Sequence, residues 1–122
     1  MDDKDEPFQE APFGIASLDC AVAVLIDFRN RNYEDVPMEL IFSKMTSSPA
    51  ALLPEKWQGL GVIAEGALAD ITIIDEERTR IVDCAEWKSK ARCCPWEGIA
   101  LTGWPVMTFV EGRKVWQDNE EI

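Results

Sequence analysis

Leu18, Val22, Leu25 and Ile26 recur at the spacing of one helical face, predicting a helix from Ser17 to Arg29. Ser17 stands where a cap is wanted and Asp19 falls in the first turn, while Arg29 and Arg31 come near the end, where cations suit the helix dipole. Cys20 to Ile26 is apolar on nearly every side, so this helix is expected to be largely buried. The β-branched Val22, Val24 and Ile26 leave a strand as the alternative. Residues 30–35 form a polar link. A second helix is expected from about Asp35 or Val36, with Pro37 in its first turn and Leu40, Ile41 and Met45 as its stripe. Ser47-Ser48-Pro49 starts one or two further turns, and Pro54 ends them.

Beyond Gly59, Gly61 and Gly66 the period shifts from helical to extended. Asp70 to Asp75 is rich in β-branched residues, Glu76-Glu77-Arg78 reads as a turn, and Thr79 to Val82 as a second short strand. Residues 83–90 read as a surface helix or turn. Cys93 to Gly98 is a loop, Ile99 to Trp104 and Val106 to Glu111 are strands, and Gly112-Arg113 turns into a last strand from Lys114 to Gln117. Residues 1–10 and 118–122 are acidic ends. The pattern is α+β, with a helical front over residues 15–54 and a β-rich back over residues 60–117.

Charge narrows the partners. Twelve Lys and Arg against 23 Asp and Glu leave a net charge of −11, which disfavours nucleic acid and anionic membrane surfaces. No apolar run approaches a membrane span, and the acidic start lacks the basic-then-apolar order of a signal peptide, so a cytoplasmic location is expected. The four cysteines, Cys20, Cys84, Cys93 and Cys94, contain no C-x-x-C pair and are expected to be free thiols. There is no histidine. The commonest general base and a frequent zinc ligand are therefore missing.

Several stretches nevertheless resemble the C-terminal portion of dihydroorotase, a zinc amidohydrolase. They are Glu10 to Asp19, with Ala11-Pro12-Phe13-Gly14-Ile15 at its centre; Met38 to Leu53, with Ser48 where the family usually has Asn; Gly61 to Thr72; and Val110 to Trp116. The resemblance implies a (β/α)8-barrel parent with a composite β domain. Residues 1–58 would supply the last barrel helices with their preceding loop, and residues 59–122 the C-terminal part of the β domain. It implies reversible hydrolysis of the cyclic amide of dihydroorotate to N-carbamoyl-aspartate, by a zinc-bound hydroxide with an aspartate shuttling the proton. The family's metal ligands and that aspartate would lie before Met1. Asp2, Asp3 and Asp5 do not match the aspartate. This chain is thus expected to hold no cofactor, no metal ligand and no catalytic residue. Only Phe13 and Gly14 match a functional feature, the loop whose main chain contacts dihydroorotate.

Other candidates are weaker. Glu10, Asp19 and Asp27 have no spacing that favours acid–base work and are expected to be solvated surface charge. Trp57, Trp87, Trp96, Trp104 and Trp116 are expected to pack in the core or at a domain interface. Cys93-Cys94 suits a structural role better than a metal or redox site. Phe13 and Gly14, without the rest of a pocket, are expected to be a buried side chain and a turn. Two functional readings follow: an inactive piece of a longer enzyme, or a stand-alone scaffold that associates with itself or with an aspartate transcarbamoylase-type partner through the apolar Ser17–Arg29 helix.

Overall fold

The computed structural model describes residues 6–11, 13–57 and 59–118. Helix α1 (Ala21–Asn32) follows a single 3-10 turn, Leu18–Cys20. Ser17 makes no side-chain cap; its carbonyl accepts the Cys20 N–H at 3.1 Å instead. Helices α2 (Met38–Met45) and α3 (Ser47–Ala50) come next, and neither buries a residue completely. Strands β1 (Ile71–Ile81), β2 (Ala100–Val110) and β3 (Arg113–Gln117) form one antiparallel sheet in the order β1-β2-β3. The chain is α+β, as its patterning indicates.

Two expected breaks turn out to be bulges within continuous strands. Glu76-Glu77-Arg78 does not turn. Pairing passes from Asp75↔Trp104 to Thr79↔Thr102, and Asp75 Oδ1 accepts the N–H groups of Glu77 at 3.0 Å and Arg78 at 3.2 Å. The side chain supplies acceptors where the ladder lapses. Pro105 likewise does not divide β2. Its neighbour Val106 is skipped between the pairs Ile73↔Met107 and Ile74↔Pro105. A proline has no N–H to give a ladder, so a central strand tolerates it beside a bulge. The hairpin from β2 to β3 turns at Glu111-Gly112, one residue earlier than expected. Both have positive φ, 50° and 75°, which a two-residue primed turn requires. Asp70 Oδ1 accepts the Glu111 N–H at 2.7 Å, and the Ala69 carbonyl accepts that of Gly112 at 3.0 Å.

The core joins front and back. Cys20, Ala23, Val82, Cys84, Cys94, Leu101 and Trp104 form one buried cluster, with Val24, Trp87 and Trp96 packed against it. Helix α1 lies on β2, and Ile26 is completely buried. The helix is not apolar-and-buried all round, as its composition suggests. Leu18, Leu25 and Phe28 are exposed, and the covered face runs through Cys20, Ala23, Ile26 and Asp27. The reason lies in Gly103 of β2, whose missing Cβ would stand 2.4 Å from Ile26 Cγ2. The strand admits the helix at that point, and this fixes which face turns inward. The acidic end is also not all solvated: the half-buried Asp118 pairs through its largely covered side chain with Arg78 at 3.0 Å and Arg80 at 3.4 Å.

Candidate functional site

The loop ahead of α1 is shaped by Gly14, at φ +72° with no atom within 4 Å of where a Cβ would sit. Phe13 is 100% exposed, against the expectation of a buried ring. Nothing in the described chain offers it cover, while Gly14 does adopt the left-handed conformation of a turn. Pro12, Asp2, Asp3 and Asp5 lie outside the described residues. The loop is anchored three residues on, where Ala16 N–H donates to the Cys93 carbonyl at 2.8 Å. A shallow cleft of about 360 Å³ beside this anchor is lined by Ile15 to Asp19, Ala21, Ser89 and Ala91. Phe13 and Gly14 stand at its rim in sequence and do not line it.

The anchoring loop is itself held on three sides. Gly98 N–H donates to Val82 O at 2.9 Å, Val82 N–H to Ile99 O at 3.0 Å, and Cys84 N–H to Glu97 Oε2 at 2.8 Å. Cys94 enters the core from this loop, and Cys93 remains half-buried. Burial pushes the Cys20 thiol up to about 12, and the adjoining Cys94 adds to the shift. Burial does the same to Cys84, also to about 12, helped by its hydrogen bond to Glu97 and by Cys94. Glu97 moves the other way, held below its ordinary 4.5 by the Cys84 thiol and then by the Cys84 N–H. Cys20 and Cys84 are thus kept as thiols within the core.

Their shifts have a consequence for stability. A thiol whose pKa is raised on folding opposes folding wherever the unfolded chain would ionise it. Unfolding midpoints in urea should therefore fall as pH rises above the thiols' ordinary 9.0. The depressed Glu97 contributes stability above its ordinary 4.5, which is lost as pH falls through the lower folded value. Glu97→Gln should flatten that acid limb and soften the alkaline one, which persists because burial is the main cause of both thiol shifts and Glu97 does not act on Cys20; a pH series of urea melts on both proteins checks it.

Among the carboxylates, Glu10 and Asp19 are exposed, as expected, and Asp27 is not. At 7% exposure it accepts from the Thr102 N–H at 3.2 Å and pairs with Arg31 at 2.7 Å, while Arg31 also reaches the Ala100 carbonyl at 3.2 Å. This is a clamp between α1 and β2. The i,i+4 spacing of Asp27 and Arg31 signals the ion pair on the helix, but not the strand that it holds. Of the tryptophans, Trp104 is buried with Nε1 donating to Leu101 O at 2.7 Å, and Trp87 and Trp96 flank the core. Trp57 and Trp116 are exposed, so core packing does not account for them. Trp87, Trp104 and Trp116 line an open groove of about 640 Å³ with Arg80 and Asp118, and Arg80 sits over the Trp104 ring at 5.5 Å.

Among the described residues, no group of three or more His, Cys, Asp or Glu side chains could hold a metal ion. The described residues do not fit zinc.

No protein-family model matches the chain. Against curated proteins the outcome is different. The chain is 35% identical over 119 residues to the dihydroorotase of Halalkalibacterium halodurans, covering 98% of this chain and 27% of that protein. It is 34% identical, with the same coverage, to the dihydroorotase of Listeria innocua. The chain is similar to the C-terminal portion of dihydroorotase. It spans about a quarter of the length of these relatives. A solved structure described as D-hydantoinase superposes with a TM-score of 0.79 over 96% of this chain and 25% of its own, at 18% identity, a likeness of fold. The dihydroorotase-like match takes in both the Phe13-Gly14 loop and the sheet, so front and back align as one stretch.

Proposed function

We propose that this chain is the C-terminal portion of a dihydroorotase-like zinc amidohydrolase, that the parent hydrolyses and re-forms the cyclic amide of dihydroorotate, and that this portion carries no turnover by itself. The observation that carries the reading is the sequence match: 98% of the chain against 27% of dihydroorotase. A (β/α)8 barrel and its metal ligands belong to the remainder of such an enzyme. The absence of histidine from all 122 residues supports assigning the metal chemistry there. Phe13 and Gly14 are this portion's contribution to the substrate site. The left-handed Gly14 leaves its main chain open on the side where a Cβ would stand, and amide groups so exposed can meet the oxygens of dihydroorotate or N-carbamoyl-aspartate. We place the protein in the cytoplasm, where free thiols such as these four are the norm. Among the described residues no helix is long and apolar enough to cross a membrane.

The purified chain should bind no stoichiometric zinc and should not convert dihydroorotate. Metal analysis and a turnover assay check this; one tight zinc per chain, or measurable hydrolysis, overturns it. The second reading, a non-catalytic scaffold, is favoured by exposed Leu18 on the turn before α1 and exposed Leu25 and Phe28 on α1. It expects self-association, or capture by an aspartate transcarbamoylase-type partner, that weakens when Leu25 is replaced with Glu. Sedimentation as a monomer at low and high salt, with no binding to that partner, excludes it.

A further inference from the structure

Residues 13–17 lie outside any helix or strand, and among the described residues one backbone bond ties them to a distant part of the chain: Ala16 N–H donates to the Cys93 carbonyl at 2.8 Å. The place of the Gly14 main chain therefore depends on where the Cys93 carbonyl is held. Cys93 leads into a tight double turn, in which Glu97 N–H donates to Cys94 O at 3.3 Å and Ile99 N–H to Trp96 O at 2.9 Å. Pro95 stands second in the first of these turns, where its fixed φ is favoured. The far end of the loop is bonded through its backbone, Gly98 N–H to Val82 O at 2.9 Å. Its middle is fastened by a side chain: Glu97 Oε2 accepts the Cys84 N–H at 2.8 Å. Cys84 opens a 3-10 turn, so its N–H has no acceptor within that turn, and the carboxylate supplies one.

We propose that Glu97 is a positioning residue for the substrate-contacting loop: its bond to Cys84 fixes the 93–98 turn, the turn fixes the Cys93 carbonyl, and that carbonyl sets Ala16 and, two residues before it, Gly14. The proposal rests on the reading of Phe13 and Gly14 as this portion's contribution to the dihydroorotate site. Glu97 itself acts through Cys93 and Ala16. It is exposed and outside the buried cluster, so its removal leaves the core packing in place. Losing a charged acceptor should loosen the loop locally, by about tenfold in its opening equilibrium.

The test has two arms. Hydrogen exchange on the full chain compares the Ala16 amide with the amides of β2 in the wild type, Glu97→Ala and Glu97→Gln. Glu97→Ala should speed Ala16 exchange about tenfold and leave the β2 amides unchanged, whereas a general loss of stability would move all of them together. Glu97→Gln keeps an oxygen for Cys84 and should restore most of the protection. The second arm puts the chain in place of the matching 27% of the Halalkalibacterium halodurans dihydroorotase and measures turnover of dihydroorotate. Glu97→Ala should raise KM several-fold with kcat nearly unchanged, as loss of a contact made equally to substrate and transition state does. Gly14→Val should raise KM at least as much. An Ala16 amide that stays put, or moves only with β2, overturns the proposal and leaves the substrate reading standing. A KM that responds to Gly14→Val and not to Glu97→Ala does the same. A KM indifferent to both, or a hybrid with no turnover before substitution, removes the substrate reading and the proposal with it.

Discussion

Gly103→Ala is expected to cost about 3 kcal/mol of folding stability, combining overpacking with the strain of a side chain at positive φ. Gly103 has φ +97°, and a Cβ there would stand 2.4 Å from Ile26 Cγ2 and 2.7 Å from Ile26 Cβ. Ile26 cannot step aside, because it is completely buried between α1 and the sheet. Urea unfolding followed by tryptophan fluorescence measures the loss. The double variant Gly103→Ala with Ile26→Ala should be less damaged than the sum of the two single changes, since the second removes the atoms that the first strikes. A single-variant loss within about 0.5 kcal/mol, the range of ordinary surface changes, would mean that α1 is not seated on Gly103.

Asp27→Ala should rank next, at about 2 kcal/mol, most of it from a backbone donor left without an acceptor. Asp27 receives the Thr102 N–H at 3.2 Å and holds Arg31 at 2.7 Å. The Arg31 side chain is 61% exposed and can turn to water, so the ion pair contributes the smaller share. Asp27→Asn keeps an acceptor for Thr102 and should recover much of the loss. Equal damage from the two substitutions would place the energy in the charge pair instead, and raised salt would then reduce the wild-type stability toward that of the variants.

How much of this was legible follows from what each signal depends on. Local periodicity located α1, the sheet strands and the hairpin to within a few residues, because β-branched runs and a turn glycine act through near neighbours. The family resemblance was readable from short motifs, and 35% identity to a dihydroorotase bears it out. Features that depend on distant partners were not. Glu76-Glu77-Arg78 has the composition of a turn, yet β2 pairs on both sides of it and makes it a bulge. Asp27 looks like surface charge until Thr102 arrives beside it. The buried face of α1 was misplaced because Leu18 and Leu25 are the larger apolar residues, whereas the space left by Gly103 selects Ala23 and Ile26. Of the candidate site, Gly14 was legible as a left-handed turn. The full exposure of Phe13 was not, since a ring in a short loop carries no sign of whether anything covers it.

The bond from Asp27 to Thr102 joins positions 75 apart along the chain. A ribosome therefore makes α1 long before the strand that covers it, and synthesis proceeds at about 5–20 residues per second. For several seconds the nascent chain carries Ala23 and Ile26 without their seat. Chains halted before Ala100 should behave as clients of holding chaperones, and chains completed through Val110 should not.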